Sequence, residues 1–111
     1  MRAVYYCRVS TDDENQTSSI INQKAESIQT IKDNKWELVD EYIDEGKSGT
    51  TTKKRDEYNR LFRDMETDKF DVIVIKSQDR LMRNTKEWYF FIDKLVQNNK
   101  QLYFYLDRKF Y

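Results

Sequence analysis

The chain alternates between short apolar runs and longer stretches in which apolar residues recur every three or four positions. The short runs are rich in β-branched and aromatic residues, which is typical of strands. They lie at residues 2–8, 36–43, 70–76 and 101–106. The longer stretches have the spacing of amphipathic helices. They begin near Ser18, near Arg55, and at Asn84 or Thr85.

Each helical stretch carries one stripe of apolar side chains, by which we expect it to pack. In the first helix, expected over 18–34, the recurring positions are Ile21, Ala25, Ile28 and Lys32, of which the first three are apolar, with Ile20 and Ile31 beside them. In the second, expected over 55–68, the stripe is Tyr58, Leu61, Phe62 and Met65. In the third it is Trp88, Phe91, Ile92 and Leu95.

A strand–helix unit repeated three times before a last strand predicts an α/β fold. We expect a mostly parallel sheet of four to five strands, with helices on both faces and right-handed crossovers. The continuous apolar run FDVIVIK at 70–76 is typical of a strand that is covered on both sides. In such folds functional groups gather just past the carboxyl ends of the strands, so a functional site is expected there.

Composition excludes several kinds of chemistry. The chain has 111 residues, enough for one domain, and it contains no His and a single Cys. Ser–His and Cys–His nucleophile pairs, His-containing metal sites and an internal disulfide are therefore excluded, and a reduced, cytoplasmic protein is expected. No run of about 20 apolar residues or signal-peptide core is present, so neither membrane insertion nor secretion is expected. The 20 basic and 20 acidic residues balance, so phosphate binding needs a local cluster of cations.

The first strand ends in Arg8 and Ser10, which share one side if the strand stays extended. Their side chains would then point into the crevice at the strand end. The alternative is that Ser10 and Thr11 only begin a turn and that Arg8 is a solvated strand end.

The third strand is followed by a second basic cluster. Arg80 and Arg83 are three residues apart, so they share a face if they lie on a first helical turn. Paired guanidinium groups suit phosphate oxygens, and a helix N-terminus adds partial positive charge. The alternative is a surface ion-pair network in which Asp79 neutralises one arginine.

The loop at 44–55 contains both glycines, Gly46 and Gly49. It lacks the spacing of a nucleotide-binding P-loop, so binding of a nucleoside triphosphate is not expected. Arg55 stands at the start of the next helix, where a cation is unfavourable against the helix dipole unless an anion is bound. The position of Arg55 therefore favours a bound anion at the start of this helix.

Five segments together resemble the catalytic domain of the serine recombinases, the family of resolvases, invertases and large serine integrases. They are YCRVST at 6–11, Gln23 in SIINQ, DEGKSG at 44–49 with Arg55, Asp71, and DRLMRN at 79–84. They follow the family's order and spacing and span about residues 3–107. The acidic residues at 12–14, followed by residues 19–23, are more similar to the large recombinases and to transposon or phage integrases.

The resemblance implies site-specific recombination of double-stranded DNA. Ser10 would attack the phosphodiester, giving a 5′-phosphoserine link and a free 3′-hydroxyl, with no metal, ATP or other cofactor. The other implied site residues act around it: Arg8, Arg80 and Arg83 surround the phosphate, Arg55 adds a further cation, Asp79 and Gln23 orient or polarise, and Asp71 holds the local structure. Gln78 and Met82 depart from the family's pattern without touching the charged set.

The physical chemistry agrees with this assignment. Attack on a phosphodiester builds negative charge on the equatorial oxygens, which fixed guanidinium groups stabilise. A covalent phosphoserine retains the energy of the broken bond, so religation needs neither ATP nor metal. With no His, the proton on Ser10 either passes to a carboxylate, for which Asp79 is the best candidate, or leaves because the arginines stabilise the oxyanion. Arginine itself is a poor base because it stays protonated.

The chain ends directly after the last predicted strand, whereas the family continues with a long helix for dimer and tetramer contacts and then DNA-binding domains. We therefore expect residues 1–111 to be a single catalytic domain of bacterial, phage or mobile-element origin without those parts. Such a chain would be largely monomeric, would bind DNA poorly and would recombine nothing by itself.

The rival interpretation is a non-catalytic phosphate-binding or protein-interaction module on the same fold. A response-regulator receiver is disfavoured, because Lys76 and Ser77 stand where its phospho-accepting Asp would be. A metal nuclease is disfavoured, because the strand ends lack a convergent set of carboxylates.

Overall fold

The computed structural model of the chain describes residues 1–10, 16–46, 56–77 and 85–111. Strands and helices follow one another in the predicted order. They are β1 (Arg2–Ser10), α1 (Gln16–Asp33), β2 (Glu37–Gly46), α2 (Asp56–Asp64), β3 (Val72–Ile75), α3 (Thr85–Gln97), β4 (Gln101–Phe104) and β5 (Lys109–Phe110).

The strands form one sheet in the order β2-β1-β3-β4-β5. The first four are parallel, and β5 pairs antiparallel with β4. The predicted α/β fold with a mostly parallel sheet is therefore confirmed. After β1 the chain adds β2 on one side and then crosses to add β3 on the other. The strand order thus reverses between β1 and β3.

The last predicted strand is wrong in extent. Residues 101–106 were expected to form one strand, but β4 ends at Phe104 and the chain turns back to form β5. Arg108 takes a left-handed conformation in this turn, with φ of 54°. Tyr111 N then donates a hydrogen bond to Leu102 O at 2.8 Å. The turn contains no Gly, Pro or Asn, and Asp107 is its one residue of a type common in turns, so its sequence signal is weak.

Alternate residues of β1 serve two separate cores. Ala3, Tyr5 and Cys7 are buried on the face that α1 covers. Val4 and Tyr6 are buried on the other face, against α2 and α3. This alternation fixes which residues of β1 and β2 can reach α2.

The predicted faces of α2 and α3 are confirmed, whereas that of α1 is wrong. Ile21 is 60% exposed, and the buried face of α1 is instead Gln23, Ser27 and Ile31. These residues are four apart, so they lie on one side of the helix. Because two of them are polar, the hydrophobic pattern indicated a neighbouring face.

None of the helices in the described part of the chain is long and apolar enough to cross a membrane.

Candidate active site

The carboxyl end of β1 lies where the strand order reverses. β1 pairs with β2 as far as Ser10 opposite Gly46, whereas its pairing with β3 ends at Tyr5 opposite Val74. Past Tyr5, the edge of β1 that faces β3 has no strand partner among the described residues. Ligands of open parallel sheets bind in the crevice at such a reversal. The backbone of Ser10 therefore ends at the expected binding position, while its side chain lies outside the described residues.

Arg8 follows Tyr6 by two positions and so starts on the α2 face of the sheet. It lies directly opposite Asp44 in the β1–β2 ladder and is partly exposed. Arg8 makes no hydrogen bond or ion pair with the parts of the chain that the structure describes. Its guanidinium is therefore available to an anion in the crevice.

Asp44 is a buried carboxylate, 6% exposed, at the carboxyl end of β2. Its Oδ2 accepts hydrogen bonds from Tyr6 Oη at 2.7 Å and from Tyr58 N at 3.0 Å. Its Oδ1 accepts one from Glu57 N at 3.0 Å. The two amide groups belong to the first turn of α2, whose N–H groups have no partner within the helix. Asp44 thus caps α2 from a neighbouring strand.

This role of Asp44 was not predicted from the sequence, because residues 44–55 were interpreted as a loop and as a family segment in which Asp44 itself had no role. A signal was present in the chain. Asp44 stands two positions after Tyr42, so on an extended strand the two share a face. Tyr42 is fully buried, and an acid on a buried face needs hydrogen-bond donors.

Gln23 is buried on the inner face of α1, 3% exposed. Ser27, one turn later, contacts the Cys7 thiol. Because α1 returns from the carboxyl edge of the sheet, Gln23 lies about 6 Å nearer that edge than Ser27. Gln23 is therefore close to the level of the end of β1, but on the face opposite that of Tyr6 and Asp44.

Cys7 is the chain's single thiol and stands three residues before Ser10, and its environment disfavours reactivity. The thiol is buried beneath α1, and burial raises its pKa to about 12. A thiol with that pKa stays protonated at neutral pH and is a poor nucleophile.

Asp71 lies at the opposite edge of the sheet. Its Oδ2 accepts hydrogen bonds from Arg2 N at 2.8 Å and Arg2 Nε at 3.2 Å, and Oδ1 lies 3.1 Å from Arg2 Nη2. These hydrogen bonds lower the pKa of Asp71 to about 2. Arg2 and Ser10 are separated by eight residues of extended strand, roughly 26 Å. Asp71 therefore joins the starts of β1 and β3, far from the end of β1.

The remaining site candidates lie outside the described residues: Arg55, Asp79, Arg80 and Arg83. Their described neighbours lie at the carboxyl edge of the sheet. Asp56 begins α2, which Asp44 caps, and Ser77 lies two residues past the end of β3. Within the described part of the chain, no group of three or more His, Cys, Asp and Glu residues is arranged to hold a metal ion.

A comparison with known protein families shows to which family the chain belongs. The sequence matches the family described as "Resolvase, N terminal domain" over residues 3–109. The chain belongs to this resolvase family. The match covers nearly all of the chain, and it confirms the resemblance to serine recombinases found in the sequence.

Solved structures agree with this resolvase fold. A resolvase family site-specific recombinase from Streptococcus pneumoniae is 25% identical with a TM-score of 0.86, and the match covers 99% of this chain and 75% of that one. The N-terminal catalytic domain of TP901-1 integrase is 24% identical with a TM-score of 0.80, over 99% and 81%. The C-terminal catalytic domain of ISC1926 TnpA, an IS607-like serine recombinase, is 23% identical with a TM-score of 0.77, over 95% and 67%. The comparison with curated proteins found no match.

Membership of the resolvase family shows the general kind of activity to which the chain belongs. The chain is a catalytic domain of the serine recombinase kind, and site-specific DNA recombination is the general activity of that family.

Proposed function

We propose that this resolvase-family chain performs the strand cleavage and strand joining of site-specific DNA recombination, with Ser10 as its nucleophile. One observation carries the proposal: β1 ends at Ser10 where the strand order reverses, and Arg8 makes no hydrogen bond or ion pair among the described residues. A hydroxyl and a cation two residues apart at this edge suit a phosphodiester.

In the proposed step, Oγ of Ser10 attacks the phosphorus of the scissile phosphodiester. The Oγ–P bond forms and the P–O3′ bond breaks. The proton leaves Oγ, and O3′ takes up a proton to become a free 3′-hydroxyl. The product is a 5′-phosphoserine, and attack by a 3′-hydroxyl on that link reverses the step and joins the strands without ATP.

Arginines stabilise the transition state in this proposal. Arg8, Arg80 and Arg83 bind the phosphate oxygens, and Arg55 supplies a further cation at the start of α2. A guanidinium offers paired donors that match phosphate geometry. Asp79 and Gln23 orient the reacting groups, and the Oγ proton passes to Asp79 or leaves because the arginines stabilise the oxyanion. Asp71 supports the sheet from its opposite edge.

Double-stranded DNA is the proposed partner, with dimers and tetramers as the proposed assembled form. Residues 1–111 act as one catalytic domain. Because the basic and acidic residues are equal in number, this domain by itself offers little non-specific attraction to DNA.

Covalent trapping tests the proposal. The chain is incubated at high concentration with a duplex whose scissile linkage carries sulfur in place of the 3′ oxygen, so that the released 3′-thiol religates poorly. We expect a protein–DNA adduct, and mass spectrometry is expected to locate the phosphate on Ser10. Ser10→Ala should abolish the adduct and keep the circular dichroism of the wild type.

Cys7→Ala is the matched control, because it removes the neighbouring thiol and leaves the hydroxyl. We expect this variant to form the adduct at nearly the wild-type rate. An adduct that persists in Ser10→Ala, or one that maps to another residue, contradicts the proposal.

A further inference from the structure

We infer that Asp44 is a positioning residue for the proposed reaction, because it fixes the start of α2 against the carboxyl end of β1. This inference rests on the proposed function for its catalytic consequence. Its structural part rests on the three hydrogen bonds that Asp44 accepts.

Asp44 joins three separate parts of the fold. It lies on β2, the Tyr6 hydroxyl that it binds lies on β1, and the two amides belong to α2. Tyr6 is itself buried at 2% exposure and stands two positions before Arg8. One carboxylate therefore sets the start of α2 relative to the strand that carries Arg8 and Ser10.

Tyr58 strengthens this junction. Its amide donates to Asp44, and its ring packs edge-on against Tyr6 with centroids 6.1 Å apart. The same ring stacks on Phe91 of α3 at 6.0 Å. The first turn of α2 is thus held by a carboxylate on one side and by aromatic packing on the other.

The position of Asp44 also bears on the charge at the site. Asp44 is the residue opposite Arg8 in the ladder, where an ion pair would neutralise the guanidinium. Instead, both of its oxygens bind donors on β1 and α2. Asp44 therefore caps α2 without forming an ion pair with Arg8, and the Arg8 guanidinium can bind the phosphate in the proposed reaction.

The chain contains a matched control at the other end of α2. Tyr42 Oη donates to Asp64 Oδ2 at 2.7 Å, which repeats the Tyr6–Asp44 pair in chemistry and distance. Tyr42 lies on β2, and Asp64 is the last residue of α2. A variant of this second pair perturbs the attachment of α2 away from the end of β1.

The experiment compares Asp44→Asn with Asp64→Asn. In Asp44→Asn one oxygen becomes an NH2 group, which faces donors instead of accepting from them. We expect adduct formation with the 3′-thio duplex, at saturating DNA and with both variants fully folded, to slow by about tenfold to a hundredfold in Asp44→Asn. Asp64→Asn should react at close to the wild-type rate.

Hydrogen exchange supplies a readout that does not depend on catalysis. The amides of Glu57 and Tyr58 should exchange faster in Asp44→Asn and remain protected in Asp64→Asn. If Asp44→Asn fails to fold, Tyr6→Phe replaces it, because it removes only one of the three hydrogen bonds. Tyr42→Phe is then its control.

The outcomes separate the two proposals. A wild-type chain that forms no adduct contradicts the proposed function, while the exchange comparison still decides whether Asp44 holds the start of α2. An active wild type with equal rates in the two Asn variants overturns the positioning role. Protected Glu57 and Tyr58 amides in Asp44→Asn overturn it as well.

Discussion

Arg8 and Asp44 are direct neighbours in the β1–β2 ladder, yet the carboxylate binds Tyr6 and the start of α2 instead of the guanidinium. Two opposite charges at facing positions of adjacent strands attract each other. Here the acid already has three donors, which cover its hydrogen-bonding needs in a buried position. The arrangement explains how Arg8 has no acidic partner among the described residues although a buried acid lies opposite it.

Replacing Arg8 should affect the reaction far more than the fold. We expect Arg8→Ala to slow adduct formation by a factor on the order of a hundred to a thousand, because one fixed donor to the transition-state charge is lost. Arg8→Lys should recover only part of the rate, since an ammonium group lacks the planar pair of donors. Single-turnover rates on the 3′-thio duplex measure both effects.

Arg63→Ala is the control for that comparison, because it removes an exposed arginine near the end of α2. It should react at close to the wild-type rate. If Arg8→Ala also keeps the wild-type rate, Arg8 does not bind the reacting phosphate.

The ion pair between Arg2 and Asp71 should make stability fall in acid. Hydrogen bonds from Arg2 lower the pKa of Asp71 from 3.8 to about 2, so the folded chain favours the charged carboxylate. The resulting stabilisation is present above pH 3.8 and is lost as the pH falls through this value towards 2. We expect Asp71→Asn to destabilise the chain near neutral pH, and the difference from the wild type to shrink over that acid window. Urea unfolding at a series of pH values measures it.

Other carboxylates contribute to the acid sensitivity as well. Burial raises the pKa of Asp40, but hydrogen bonds from Lys69 and Arg60 outweigh this and lower it to about 2. The test therefore compares the wild type with Asp71→Asn and does not rely on the wild type alone. Asp93→Asn is the control, since the Asp93 carboxylate accepts a hydrogen bond from the neutral amide of Gln97. A difference between the wild type and Asp71→Asn that stays constant down to pH about 2 would contradict the expectation.

The chain by itself should bind DNA weakly. Its 20 basic and 20 acidic residues cancel, so few phosphate counterions are released on binding. We expect a Kd weaker than about 1 µM for a generic duplex at physiological salt, which is the strong limit of typical non-specific binding. Gel-shift titration measures this affinity, and sedimentation at the same protein concentrations tests the expected monomer. Tighter binding, or a stable dimer, would contradict these expectations.

Much of the fold was predictable because its signals are local. The strands and helices occur in the predicted order, and the apolar stripes of α2 and α3 pack as their spacing indicates. The α1 face was mispredicted because Gln23 and Ser27 are buried beside Ile31. For these polar positions the tertiary contact outweighed the local pattern. Similarly, β5 follows from a left-handed Arg108, a residue type that gives no turn signal.

For the candidate site, too, the local signals were predictable and the long-range contacts were not. The motif around Ser10 and the resemblance to serine recombinases could be recognised from the sequence, and the family match confirms the resemblance. The roles assigned to the individual site residues all stay predictions: Ser10, Arg8, Gln23, Arg55, Asp71, Asp79, Arg80 and Arg83. Asp44 was overlooked because its partners lie 38 residues before it and 13 and 14 residues after it.

By itself the sequence determined the order of the elements, the fold class and the family, because residue type and spacing act over a few neighbouring positions. Only the tertiary structure decided that β1 lies between β2 and β3, that the strand order reverses beside Ser10, and that Asp44 binds α2 rather than Arg8. Those facts depend on pairing and packing between distant segments, where burial and hydrogen bonding compete across the whole chain.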